Sequence, residues 1–323
     1  MTTDPVASVL YRAAEDALLA PSILNTQPWH WRVHDDTLEL FVDRSRQLHA
    51  ADPYWRLMII SCGAALHHAR VSLRASGYEP VVHRRPDPHQ PWLLAHVQVG
   101  RAHPPSATAM RTYQSIRLRR TDRRPFATDV RVPADVIAGL RSAAEAEHAL
   151  LYTLSPGDVT YLRYAARGAQ TAAARDQVKA AELRQWTSGG ADDGVPPQTV
   201  AKPSPRPVPT RDFGLGADAA LEPGPGDDRS AEYLVVATAG DDLVAWLAAG
   251  EATSAVWLRA TVEGLAVSPM SDVIEVPGAR MLLRSLLQPT AQPQLVLRTG
   301  TTGDAGPPPE SPRRPASEAI DVG

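Results

Sequence analysis

Forty-four residues, Thr187 to Ser230, hold eight prolines and seven glycines and follow neither a helical nor a strand period. Proline fixes φ and lacks a backbone donor, so such a run cannot enter a helix or an inner strand. Compact domains rarely carry so long an aperiodic segment unless it is a lid, a binding loop or disordered. Whatever the chain folds into must therefore build patterned regions on either side of this stretch. The tail from Gly300 to Gly323 is also proline-rich, and it carries Arg313-Arg314. The 43% share of AVILMFWYC residues still supports a buried core. At about 150 residues per domain, 323 residues predict two domains or one large one.

Several classes of protein are excluded by simple counts. The longest uncharged apolar run, Leu57 to Leu66, has ten residues, against about 18 for a membrane-crossing helix. The N-terminal Met1 to Pro5 has neither the basic region nor the apolar stretch of a signal peptide. The single cysteine, Cys62, leaves no intramolecular disulfide and fits a reducing, cytoplasmic setting. A net charge of −3 argues against a general binder of nucleic acid.

The patterned regions alternate helix and strand. Asp4-Pro5 suits a helix start, and Val6 to Ala20 reads as an amphipathic helix ended by Pro21-Ser22. Trp29 to Val33 and Leu38 to Val42 read as a hairpin about Asp35-Asp36. A second helix runs from Asp52-Pro53 to Gly77. Strands follow at Val81-Val82 and Leu93 to Val99, and 101–107 reads as a linker. Beyond it come a helix, Ala134 to Ala146, and a strand, Ala149 to Leu154. A long helix spans Asp158 to Trp186. After the proline-rich stretch come a strand at Tyr233 to Thr238, helices at Asp242 to Gly264 and Ala279 to Leu287, and a strand at Gln294 to Leu297. Gly63 to Gly77 and Gly250 to Gly264 share a pattern: a glycine, a small-residue helix start, and a closing glycine. That similarity suggests two like halves, a dimer written into one chain.

Four segments could carry chemistry. Pro21 to Trp29 places Ser22, Asn25 and Gln27 between a helix and a strand. They can hydrogen-bond a polar heterocycle or a ribityl-like chain, or the segment is a polar turn anchored by Trp29. Arg111 to Arg131 holds seven Arg and two Asp. Within it, Arg119, Arg120, Thr121 and Arg123 could grip a phosphate through guanidinium forks and a hydroxyl, or form a solvated face or a polyanion patch. Arg313 and Arg314 would add phosphate contacts if the tail folds back. Ser268 to Ser271 reads as a turn that could aim backbone amides into a site. No phosphate-binding GxxxxGK[ST], HExxH or CxxC motif occurs. His67 and His68 point about 100° apart on a helix, poor geometry for one metal.

Ala20 to Trp29, Arg119 to Phe126 and Gly250 to Pro269 together resemble the nitroreductase superfamily of flavin proteins, and within it the Acg-like branch. Weaker matches run through Glu182 to Thr187, Asp193 to Pro196, Pro293 to Gly300 and Pro312 to Pro315. The resemblance implies an α+β nitroreductase-like fold, normally a homodimer with FMN at its interface. Ordinary members place an arginine motif before the Pro-Ser segment in every domain. Here the first half keeps only the Pro-Ser segment and the second half only the arginine motif. The resemblance therefore implies a tandem duplication, with halves 1–105 and 106–323 forming an internal pseudo-dimer around one FMN.

On that reading Arg119, Arg120, Thr121, Arg123, Arg313 and Arg314 face the phosphate and ribityl chain. Ser22, Asn25 and Gln27 reach the cofactor from the other half, and Pro269, Met270 and Ser271 present an amide near the flavin ring. The stretch 187–230 is the expected lid, with Phe213 or Trp186 as plugs. No protein acid or base is needed for hydride transfer, which the flavin carries. The expectation is a lidded FMN-binding protein, a flavin store with weak or no conventional NAD(P)H nitroreductase turnover. The alternative is an active NAD(P)H-dependent nitroreductase or quinone reductase. Either would exist as a monomer or a homodimer.

Overall fold

A computed structural model describes residues 5–188, 190–303 and 305–323. The chain is α+β, built from two sheets on either side of a central helix pair. Helix α1 spans Pro5–Ala17; its expected cap, Asp4, lies outside the described residues. The hairpin β1 (Trp29–His34) and β2 (Thr37–Val42) turns at Asp35, whose φ is +52°. Along β1 the pleat buries Trp29, Trp31 and Val33 and turns Arg32 and His34 outward. Aromatics of this size bury roughly 150–250 Å² each, and they anchor the first core. Helix α2 (Arg56–Ala75) follows, its first turn held by Asp52 Oδ2, which accepts from the Met58 amide at 2.8 Å. Strands β3 (Tyr78–Arg84) and β4 (Leu93–Ala102) complete the first half.

Helix α3 (Ala107–Leu118), capped by Ser106, leads into the arginine motif. Its sequence gives little sign of it, because only Ser115 and Ile116 are buried. Helix α4 (Ala134–Glu145) and strand β5 (Leu150–Thr153) match expectation. The long helix expected over 158–186 is two: α5 (Pro156–Arg175) and α6 (Gln177–Thr187). Asp176 breaks it with φ −99° and ψ 99°, and its carboxylate caps α6 at Val178 and Lys179. The remaining elements are β6 (Glu232–Thr238), α7 (Leu243–Val262), β7 (Ala266–Met270), α8 (Asp272–Glu275), α9 (Pro277–Arg284), β8 (Gln292–Gly300), α10 (Ala316–Ala319) and β9 (Ile320–Val322).

The first sheet has the order β3-β4-β2-β1-β9 and the second β5-β6-β8-β7. The last strand, β9, crosses to the first sheet and pairs parallel with β1, Trp31 opposite Ile320. The segment read as a turn, Ser268 to Ser271, is for its first three residues an edge strand, Pro269 lying opposite Leu297. An edge is where a sheet tolerates a proline, whose missing donor faces outward.

Helices α2 and α7 cross where their glycines meet. A Cβ on Gly63 would lie 2.1 Å from the Leu247 carbonyl oxygen, and one on Gly250 would lie 2.0 Å from that of Ile60. Each glycine thus meets the residue three positions before the other. Such a self-complementary contact is what two like elements make across a two-fold axis. His67 Nδ1 and Ser254 Oγ, at 2.8 Å, meet across the same crossing at the same offset of 187 residues. Both closing glycines, Gly77 and Gly264, have positive φ, +86° and +73°, as helix-ending glycines do.

From Gly190 onward the proline-rich stretch is a strap whose helical turns are short 3-10 segments at Pro197–Thr199 and Gly216–Asp218. Val195, Val200 and Ala219 pack with Leu24, Leu48 and Ala51 into a small separate core. Its backbone pairs with itself at Ala201 and Leu221. Gln27 Nε2 donates to the Asp192 carbonyl at 2.9 Å, and Arg46 forms an ion pair with Asp193.

Candidate functional site

A cavity of about 310 Å³ lies where α2, α7, the Pro-Ser turn, the arginine motif, the strap and the tail converge. Ser22 and Asn25 enter it from the turn between α1 and β1. That turn holds Leu24, Asn25 and Gln27 at φ of +44°, +56° and +49°. Backbone of this kind costs of order 1–3 kcal/mol per residue and persists where the surroundings impose it. Here Ser22 Oγ accepts from the Gln27 amide at 2.9 Å, and Asn25 Nδ2 donates to the Pro312 carbonyl at 3.0 Å.

The opposite wall comes from the arginine motif after α3 and from the end of β7. Arg119, Arg120, Thr121 and Arg123 line it, with Pro269, Met270 and Ser271. The Asp122 amide donates to the Val267 carbonyl at 3.0 Å, and Thr121 bridges to Val267, which ties the motif to β7. The tail brings Arg313 into the same wall, where it donates to Asn25 Oδ1 at 3.2 Å.

The charges are unbalanced. Arg119 is 5% exposed, lies 4.9 Å over the Trp257 ring and donates to the Leu19 carbonyl at 3.0 Å. Arg313 donates only to carbonyl oxygens and Asn25. The Nε atoms of both are buried without a partner. Among the described residues neither guanidinium has a carboxylate within ion-pair distance. Burial, and then the charges of Arg313 and Arg120, lower Arg119; burial, and then Arg120, lower Arg313 to about 10 against an opposing pull from Glu310. Arg123 is likewise lowered to about 10, by burial and then by Arg211, and lies 5.0 Å over the Phe213 ring. Arg120 is different, being paired with Glu310. Buried cations without counter-charge are expensive unless an anion arrives. The site can therefore hold a compact anion such as a phosphate at its Arg119–Arg313 end.

Two expected ligand residues stand elsewhere. Gln27 is fully buried beneath the cavity rather than lining it; its Oε1 accepts from the Arg314 amide at 2.9 Å. Arg314 also lies outside the lining, donating to the Gln27 carbonyl and to that of Glu318. These two fasten the tail to the Pro-Ser turn. Of the two plugs expected in the strap, Phe213 lines the cavity and Trp186 does not; Trp186 stacks under Arg46 at 5.4 Å. Arg124 turns away from the cavity onto Asp122, at 2.6 Å.

Other lining residues escaped sequence reasoning. Thr253 and Trp257 are one helical turn apart on α7, and Thr253 Oγ1 is buried without a partner. Ile60, Ser61 and Ala64 line the cavity from α2, and Arg211 comes from the strap, held by Glu275 and Ser271 Oγ. For the α2 and α7 residues the only sequence signal was helical spacing, which a core face shares, and Arg211 gave none.

An α+β chain with two sheets about a helix pair and an arginine-lined cavity beside that pair is what this geometry defines. Residues 116–301 match the Nitroreductase family. The chain is 34% identical over its full length to 97% of the Mycobacterium tuberculosis protein named "Putative NAD(P)H nitroreductase acg". It is 37% identical over 94% of its length to 89% of "Putative NAD(P)H nitroreductase Rv3131" of the same organism. The chain belongs to the nitroreductase family. Among solved structures, the FMN-bound nitroreductase of Bacteroides fragilis is similar at 14% identity and a TM-score of 0.41, over 63% of this chain and 94% of that one. The NADPH:FMN oxidoreductase of Vibrio harveyi, complexed with NAD+, is similar at 16% identity and a TM-score of 0.37, over 64% and 74%.

Proposed function

We propose that this chain binds one FMN in the cavity between its two halves, halves that arose by tandem duplication, and holds it with little NAD(P)H-driven turnover. The observation that carries the reading is a pair of guanidiniums, that of buried Arg119 and that of part-buried Arg313, that lack an ion-pair partner among the described residues. Arg119, Arg313 and Arg120 would hold the phosphate. Ser22, Asn25, Thr121 and the unpartnered Thr253 hydroxyl would serve the ribityl hydroxyls. Pro269, Met270 and Ser271 would flank the ring, with Arg123 and Phe213 on the strap side. When bound, the flavin supplies the redox chemistry, and the protein supplies position and electrostatics.

The strap supports the storage reading. Thr210, Arg211 and Phe213 line the cavity and leave less room above it for a second planar ligand. The strap is also fastened at several points, including Gln170 Nε2 to the Thr210 carbonyl at 2.6 Å. A strap that opens would instead gate an NAD(P)H-dependent reductase acting on nitroaromatics or quinones.

The test is an absorption spectrum of the purified chain, followed by anaerobic NADPH and then dithionite. A flavin band that survives NADPH and bleaches with dithionite supports the store. Rapid bleaching by NADPH overturns it in favour of the reductase. A colourless protein that takes up no added FMN overturns the site assignment.

A further inference from the structure

Among the described residues Glu310 is the one carboxylate lining the cavity, and it sits among the arginines. Its carboxylate pairs with Arg120, whose guanidinium is otherwise held by the Arg117 and Arg119 carbonyls at 2.7 and 2.9 Å. The two ends of the segment carrying it are pinned. Arg124 binds the Gly306 carbonyl at 2.8 Å, and Arg313 binds the Pro312 carbonyl and Asn25. Between the pins run Pro307, Pro308 and Pro309, a sequence that favours a stiff extended conformation. A stiff span aims the next residue reproducibly, so Glu310 is held at the mouth of the anion site. Yet its side chain is 76% exposed, so its carboxylate can leave Arg120 for water at small cost.

We propose that Glu310 is a built-in counter-anion that sets how tightly the arginine cluster takes a phosphate. This rests on the FMN reading of the same cavity. The three cations at this end are unequal: Arg120 is paired with Glu310, Arg313 feels the same carboxylate beyond ion-pair distance, and Arg119 has no carboxylate acting on it among the described residues. An incoming phosphomonoester must either displace Glu310 from Arg120 or bind beside its negative charge. Both routes weaken the phosphate contribution and leave the contacts to the rest of the ligand untouched. Glu310 therefore discriminates by ligand charge, lowering affinity for FMN while having no effect on riboflavin, which lacks the phosphate.

The test compares the full-length chain with its Glu310→Gln variant. FMN and riboflavin are titrated by flavin fluorescence, and inorganic phosphate is followed by thermal shift. The expected result is that E310Q tightens FMN roughly threefold to tenfold at low salt, with the gain shrinking as ionic strength rises. Riboflavin affinity stays the same, and phosphate stabilises the variant at lower concentration. If FMN and phosphate bind E310Q no better than the parent, the proposal falls while the FMN reading stands. Equal tightening of FMN and riboflavin also overturns it, because the effect is then one of access rather than charge. If neither chain binds FMN, the flavin reading fails, and the phosphate shift alone decides: stronger stabilisation of E310Q upholds the counter-anion, and an unchanged one removes it.

Discussion

The α2–α7 crossing has two sides, and the chain treats them differently. On one side Ala64, Thr253 and Trp257 line the cavity. At the 187-residue offset that brings Gly63 onto Gly250, their counterparts are Glu251, Leu66 and Arg70. On that second side Arg70 bonds Glu251 at 2.7 Å and pairs with Glu147, while Arg84 grips Glu251 with two bonds of 2.8 Å. Where one side has a small residue and an aromatic ring around a space, the other has a carboxylate and a guanidinium that fill it. One side carries two cations, Arg119 and Arg313, with no ion-pair partner among the described residues; the other carries a closed set of both charges. The two sides of one helix crossing thus differ because their side chains differ in volume and charge balance.

That contrast can be broken most strongly on the filled side. Arg70→Ala leaves Glu147 and Glu251 buried without their shared cation, and about 3–5 kcal/mol of stability should go. Urea denaturation checks this; a loss under 1 kcal/mol would mean that Arg84 and water suffice. On the open side the opposite holds. Replacing Arg119 and Arg313 together by Ala should cost FMN affinity at least about a hundredfold, at about 1.5–3 kcal/mol per charge-assisted hydrogen bond. Its urea midpoint should not fall, since two uncompensated buried charges leave with it. A variant that binds FMN normally would show that the cations are not the phosphate site.

The crossing itself can be tested from either glycine. Gly63→Ala and Gly250→Ala each push a methyl group into a carbonyl of the other helix, and overpacking of this kind costs about 1–3 kcal/mol. Similar losses for the two variants would support a two-fold contact, and a several-fold inequality would count against it.

The smallest effect sharpens the view of the open side. Asp272, just after Ser271, is buried, and burial raises its carboxyl to about 6. Both oxygens lack a side-chain partner, although Arg211 lies near enough to oppose the shift. Its folded pKa is above the unfolded value of 3.8, so the folded state binds the proton more tightly. Its contribution favours folding below about pH 4 and is lost as pH rises through 6. Asp272→Asn should therefore stabilise the chain at pH 7, by at most about 3 kcal/mol, and make little difference near pH 4. Thermal melts across that range would show it; a gain independent of pH would point to a packing effect.

Much of this was legible in the chain. The alternation at Trp29 to Val42 gave the hairpin, because period two survives in any half-buried strand. The Gly63 and Gly250 segments announced their likeness, and the Pro-Ser turn and arginine motif marked two walls of the cavity. What escaped depended on partners far away in sequence. Helix α3 buries too little to leave a periodic trace. Strand β7 looked like a turn because Pro269 is permitted only by its place at a sheet edge. Residues of one type also took different roles: Arg119 faces the cavity bare, Arg124 is claimed by Asp122, and Gln27 is spent on the tail.

The sequence by itself determined the local conformations, the supply of arginines, and the small residues that let two helices touch. Those depend on propensity, volume and charge, which each residue carries with it. Only the tertiary structure decided which cations are left without a counter-charge and which side of the crossing stays open. Charge balance and free volume belong to sets of residues, and this chain assembles those sets from positions as far apart as Asn25 and Arg313.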